Sequence, residues 1–284
     1  MSAARMAPFA PASLIAQRFV EARRAAAPLA DFPGPIPASL DAAYECQNLA
    51  IDLWGDEVAG WKVGRVGPDL IAKLGAERVA GAIFRAKVSQ ARDGQAAAFP
   101  VFVGGFAAVE AEYVYRLGVD APLDKTNWTP AEALDLVETM FIGVETAGSP
   151  LATINDLGAT VVATDFGNNN GLILGPEVKD WRRFTPDALP AETFIDGHSV
   201  GKGVSASLPG GPPAALVFTL IQCAAMGRPL RAGALISTGA VTGVHDIRAG
   251  QTARCEFGAF GAIDCVAVAA EPTPERDREK GVAR

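Results

Sequence analysis

The stretch Val109-Glu110-Ala111-Glu112-Tyr113-Val114-Tyr115 has the character of a β-strand, and the two-residue period of a strand sets Glu110 and Glu112 side by side on one face. Two anions so placed repel. One arrangement turns the strand to solvent, with both glutamates outward and Val109, Ala111 and Tyr113 inward. The other places a hard divalent cation between them, which removes the repulsion and takes oxygen ligands. Glu145 offers a third carboxylate, because it follows the apolar run Met140 to Val144 in what reads as a buried strand. Buried alone it would be costly, so it either ends its strand in water or joins the same ion.

Outward from this strand the chain changes texture once. After Gly60, short β-branched or aromatic runs bounded by Gly, Pro and Asp predict mostly strands. Before it, Ile15, Phe19, Ala22 and Ala26 recur at helical spacing and predict an amphipathic helix from Pro11 to Ala27. A Pro-rich break at Phe32 to Pro37 separates it from a second helix, Ala38 to Leu53, with Leu40, Tyr44, Leu49 and Leu53 as core positions. Two later helices are expected. Pro130 to Phe141 carries the capping-box pair Thr129 and Glu132 with Pro130 at its first position, and Pro212 to Met226 is long and apolar enough to be buried. The fold class is therefore α+β: a helical N-terminal region (1–75) packed on a mixed, curved, β-rich core (76–270) that holds the candidate metal ligands. A flexible tail (271–284) follows, since every position from Glu275 to Lys280 is charged.

Composition narrows the function. With 284 residues, 49% of them apolar and 20% charged, the chain can bury a large core, and 30 glycines with 20 prolines imply many tight turns. A net charge of −7 disfavours nucleic acid, whose phosphates need a concentrated basic surface. The pairs Arg23-Arg24 and Arg182-Arg183 read as solvated faces. Cys46, Cys223, Cys255 and Cys265 form no Cys-x-x-Cys pair, so neither zinc nor a disulfide framework is expected, and His198 and His245 are too few for a zinc hydrolase. No continuous apolar core typical of a signal peptide stands out before Arg18, and no apolar run reaches the length of a membrane span. A cytoplasmic protein with no membrane partner is expected. Asp165-Phe166-Gly167 and Gly201-Lys202 lack the surroundings of a kinase or a phosphate-binding loop.

Several segments, taken in order, carry a resemblance: Gly60-Trp61-Lys62-Val63-Gly64, Glu110-Ala111-Glu112, Val144-Glu145, Ala163-Thr164-Asp165, and Ser237-Thr238-Gly239-Ala240-Val241-Thr242-Gly243 followed by Ala249-Gly250. The chain resembles the 2-keto-4-pentenoate hydratase branch of the fumarylacetoacetate hydrolase superfamily from Gly60 to Val268, and that branch also carries a helical front end. The resemblance implies that Glu110, Glu112 and Glu145 ligate Mg²⁺ or Mn²⁺, which would chelate a small-molecule 2-oxo acid. It implies that Lys62 binds the substrate or moves a proton, that Thr238 and Gly239 form a substrate-side turn, and that the protein is a homo-oligomer, as exposed strand edges also suggest.

Read without the resemblance, each residue has a plainer role. Lys62 could keep its head in water, Thr238 and Gly239 could form only a hairpin, and Asp165, ahead of Gly167 and Asn168 to Asn170, could serve a turn. One departure bears on the reaction. Hydratases of this branch often carry an Asp just before the glycine matching Gly81, where this chain has Val79-Ala80, with Glu77 and Arg78 nearby. Three functions follow: a hydratase of 2-hydroxy-2,4-dienoates or 2-oxo-enoates as in aromatic catabolism, a related 2-oxo-enedioate decarboxylase or acylpyruvate-type hydrolase, and a non-catalytic binding homologue. Hydrolysis is weakened because no His precedes His198.

Overall fold

The computed structural model describes residues 11–274. Two helices lead the chain, α1 (Pro11–Ala25) and α2 (Leu40–Trp54), each within two residues of its expected ends. Ser39 caps α2 with its side chain, and Gly55, left-handed at φ 75°, ends it. Strands then dominate: β1 (Val58–Arg65), β2 (Arg78–Phe84), β3 (Val88–Gln90), β4 (Ala97–Val101), β5 (Phe106–Leu117), β6 (Val137–Ser149), β7 (Asn169–Glu177), β8 (Pro190–Ile195), β9 (His198–Val204), β10 (Leu235–Ser237), β11 (His245–Asp246), β12 (Thr252–Glu256) and β13 (Ala262–Ala269). Between them lie α3 (Pro68–Leu74), α4 (Pro130–Asp135), α5 (Ala159–Thr164) and α6 (Gly211–Ala225). The architecture is the α+β one expected.

The strands form two sheets. The larger runs β2-β1-β10-β5-β6-β7-β3, with β11 also on β5, and the smaller runs β4-β13-β12-β8-β9. One continuous apolar core joins α1 and α2 to both sheets. The smaller sheet covers one face of β5: Tyr113 packs edge-on against Phe257 at 5.4 Å between ring centres and donates its hydroxyl to the Pro190 carbonyl at 2.8 Å.

Register decides what lies on the other face. Glu110 pairs with Glu145 across β5 and β6, while Lys62 pairs with Ser237, which pairs in turn with Val114. Directly paired residues share a face, and Val114, Glu112 and Glu110 alternate by two. Lys62, Ser237, Glu110, Glu112 and Glu145 therefore all project from the side opposite Tyr113.

Two boundaries differ from expectation. Between α2 and α3, the segment expected to be helical contains β1, which lies inside the larger sheet, where it pairs with both β2 and β10. The helix expected over Pro130 to Phe141 stops at Asp135, and β6 begins at Val137. Thr129 and Glu132 form the full capping box, but a cap nucleates only the first turn. Beyond it, pairing with β5 from Leu117 back to Phe106 overrides the local helical pattern. Of the expected tail, residues 271–274 are mostly exposed, with Thr273 donating to the Arg24 carbonyl at 2.7 Å; residues 275–284 lie outside the described residues.

Candidate metal centre

Glu110, Glu112 and Glu145 come together with one carboxylate oxygen of each within 4.8 Å of the others. None is on the surface: Glu110 is 4% exposed, Glu112 and Glu145 not at all. Neighbours hold part of two of these groups. Ser237 Oγ and the Gly239 amide donate to Glu112 Oε2 at 2.6 and 2.9 Å, and Asn169 Nδ2 donates to Glu145 Oε1 at 3.0 Å. The opposite oxygens, Glu112 Oε1 and Glu145 Oε2, have no hydrogen-bond partner among the described residues. A buried carboxylate oxygen left this way is costly unless something binds it.

Lys62 supplies the local positive charge. Its ammonium, buried at 3% exposure, lies 3.3 Å from Glu145 Oε2 and donates to Asn168 Oδ1 at 3.0 Å. Burial alone would lower its pKa, but Glu145, Glu110 and Glu112 outweigh that and raise it above the ordinary lysine value. Three carboxylates facing one ammonium leave a surplus of two negative charges. Burial pushes Glu110 up to about 7 despite Lys62, with Glu145 adding repulsion, and burial followed by the charges of Glu145 and Glu110 raises Glu112 well above the usual carboxylate range. A hard divalent ion fits this set: it supplies the missing two charges and takes the orphaned oxygens.

A cavity of about 610 Å³ reaches Glu110 of the trio, lined among others by Lys62, Asn168, Gly239, Val79 and Arg65. Gly239, at φ 113°, turns its amide to Glu112. The Thr238 hydroxyl donates to the Tyr113 carbonyl at 2.8 Å, so it anchors the turn to β5. Val79 presents an apolar wall to the cavity. Glu77 is exposed and pairs with Arg78 at 3.5 Å, whereas Asp69 and Asp156 line the cavity.

Two residues read from sequence as solvent-facing or turn-forming are neither exposed nor idle. Arg23 is buried, and it grips Asp165 through Nε and Nη2 at 2.5 and 2.9 Å. The two lie 142 residues apart, which no local pattern encodes. Asp165 also sits at the expected turn, its carbonyl accepting from the Asn168 amide at 2.9 Å. Asn168 and Asn169 went unrecognised as site residues. Their signal was the polar run Asn168 to Asn170 between the apolar segments Ala159 to Ala163 and Leu172 to Leu174, a place where polar side chains need specific partners.

No family model matches the chain. The 2-keto-4-pentenoate hydratase of Paraburkholderia xenovorans (strain LB400) is 28% identical over 253 residues, covering 87% of this chain and 91% of that one. A 4-oxalocrotonate decarboxylase of Pseudomonas sp. is 32% identical over 157 residues, 55% of this chain and 58% of its own length. Among solved structures, the 4-oxalocrotonate decarboxylase of Pseudomonas putida G7, complexed with magnesium and adipate, superposes with a TM-score of 0.75 at 17% identity, over 93% of this chain and all of that one. The chain is similar in sequence to the hydratase over most of both lengths and shares the fold of the decarboxylase, in agreement with the ordered motifs that resemble the 2-keto-4-pentenoate hydratase branch of the fumarylacetoacetate hydrolase superfamily.

Proposed function

We propose that the protein is a divalent-metal-dependent hydro-lyase that adds water to a 2-hydroxy-2,4-dienoate or 2-oxo-enoate, with Glu110, Glu112 and Glu145 holding Mg²⁺ or Mn²⁺. The observation that carries this reading is the pair of buried carboxylate oxygens without a hydrogen bond among the described residues, one of them facing the Lys62 ammonium, in a cluster of three carboxylates. Bound there, the ion supplies Lewis acidity for the carboxylate and 2-oxo oxygens of the substrate and stabilises negative charge developing on them. Lys62, its ammonium held between Glu145 and Asn168 at the cavity wall, is placed to donate a hydrogen bond to the substrate. Asn168 keeps the ammonium aimed, and Val79 with Val162 gives the hydrocarbon chain an apolar wall. Asp69, Asn155 and Asp156 offer the polar acceptors that position the adding water. Thr238 and Gly239 support the substrate side of the site by fixing the turn against β5 and Glu112.

The test is a spectrophotometric assay with 2-hydroxypenta-2,4-dienoate. Loss of the conjugated absorbance only when Mg²⁺ or Mn²⁺ is present, with a hydroxylated 2-oxo acid as product, supports the reading. A protein that retains neither ion and leaves the dienoate untouched sinks it.

One observation favours a second reading, decarboxylation of a 2-oxo-enedioate. Arg65, exposed and lining the same cavity as Lys62, has no side-chain hydrogen bond or ion pair among the described residues. A guanidinium left so is available to a second carboxylate of a diacid. CO₂ release from the diacid, with KM for it raised in Arg65→Gln and KM for the monoacid unmoved, selects this reading over hydration. We place the protein in the cytoplasm as a homo-oligomer with no nucleic-acid or membrane partner. The support is its acidic balance, its four buried free cysteines and the exposed edge strand β9.

A further inference from the structure

The segment Asp165 to Asn170 passes over the metal face of the larger sheet, and it is built under constraint. Phe166, Gly167 and Asn168 are all left-handed, at φ 54°, 61° and 57°, although only one of them is glycine. Backbone of this kind persists only where its surroundings hold it. Beneath it, Gly81 is the partner of Lys62 across β1 and β2, and a Cβ there would stand 1.9 Å from the Phe166 carbonyl oxygen. The turn therefore lies directly on the strand beside Lys62.

Both products of this turn face the candidate site. Asn168 accepts from Lys62 and donates to Asn155 Oδ1 at 3.0 Å, while Asn169 holds Glu145. At the other side of the segment stands one residue from the first helix. Arg23 grips Asp165 with two nitrogens, reaches Asn170 Oδ1 with a third at 3.4 Å, and donates to the Gly148 carbonyl at 2.9 Å. Its guanidinium also lies over the Phe166 ring, 5.1 Å from the centroid. Ser149, at the end of the strand that carries Glu145, completes the Asp165 shell at 2.6 Å. Arg23 thus holds the segment at both ends and in the middle.

We propose that Arg23 is a positioning residue for the reaction: through Asp165 and Asn170 it fixes the left-handed turn that aims Asn168 at Lys62 and Asn169 at Glu145. It touches neither substrate nor ion. The N-terminal helix is by this account a working part of the active site and not only a cover for the sheet. Part of the physical case is that a buried ion pair is a poor source of net stability, so a function of the pair lies in what it orders. This inference rests on the hydro-lyase reading, and its test has a readout that does not need turnover.

Mn²⁺ affinity of the full chain is measured by calorimetry alongside kcat and KM for the dienoate, in Arg23→Lys, in the charge-neutral pair Arg23→Gln with Asp165→Asn, in Asn168→Ala, and in Asn168→Ala combined with that pair. The neutral pair removes both buried charges, which keeps the fold testable where Arg23→Gln alone would leave Asp165 unpaired. Expected are a fall of roughly 10- to 100-fold in Mn²⁺ affinity or kcat for the pair, and a smaller fall for Arg23→Lys, which keeps the charge but not the planar two-nitrogen grip. In the triple combination the kcat loss should be no greater than in the worse of its parts, because both act through one turn. A folded neutral pair with unchanged affinity and kcat overturns the proposal, and so do kcat losses that multiply. Should the wild-type chain bind Mn²⁺ yet leave the dienoate unchanged, the hydro-lyase reading fails while the affinity arm still decides the role of Arg23.

Discussion

Two buried charge clusters sit on neighbouring elements of this protein and are built to opposite rules. Around Asp165, both carboxylate oxygens are filled, by Arg23 and Ser149, and the charges cancel. Around Lys62, three carboxylates face one ammonium and two oxygens stay without a hydrogen bond among the described residues. A closed cluster has nothing left to offer a ligand and serves to order the chain. An open one has oxygens left to offer a cation.

The contrast can be broken most sharply at Glu112. Glu112→Gln should abolish Mn²⁺ binding and turnover, a loss beyond the roughly 100-fold that supporting residues command. The same change relieves repulsion with Glu110 and Glu145, so in chelator the variant should unfold at higher urea than the wild type. Higher stability with lower activity identifies the open cluster, and a variant that is less stable in chelator would refute it. Arg23→Ala should behave in the opposite sense, destabilising the chain by about 3–5 kcal/mol in a urea titration, because it strands the Asp165 charge in the interior. A loss below about 1 kcal/mol would mean that the closed cluster is wetter than its burial implies.

pH should separate the two next. Glu110 is raised in the fold, from 4.5 to about 7, so in chelator its contribution is fully present below pH 4.5 and is lost as pH climbs through 7. Over that window the chelated protein should lose stability while its apparent Mn²⁺ affinity rises, since the ion displaces fewer protons. Thermal melts and calorimetry at pH 5, 6, 7 and 8 read both slopes; parallel slopes would contradict the assignment. The smallest effect is expected at Ser237→Ala, which removes one donor from Glu112 Oε2 and leaves the Gly239 amide in place. Mn²⁺ affinity should fall by about tenfold with the fold intact.

Much of this was legible before any coordinates. The strand through Glu110 and Glu112 follows from alternation, and the helices near Pro11, Leu40 and Gly211 from apolar spacing, because both signals live within a dozen residues. The capping box at Thr129 was equally plain, yet the helix behind it ended after six residues, since strand pairing over the next segment was invisible locally. Burial was the harder question. Lys62 reads as an ordinary strand lysine and Arg23 as half of a surface pair until their partners, 83 and 142 residues further on, are brought to them.

By itself the sequence determined which chemistry is available: two carboxylates at strand spacing and a third after an apolar run, one lysine between glycines, a run of asparagines after Asp165, and an alternation that builds sheet around them. Only the tertiary structure decided that these groups share a single face, out of water, with the turn over Gly81 holding them from above. The reason is register. A strand pattern states which residues lie on the same side of their own strand, but a shift of one residue against a neighbour would send Glu145 or Lys62 to the opposite face, and only the packing of the whole core selects between those alternatives.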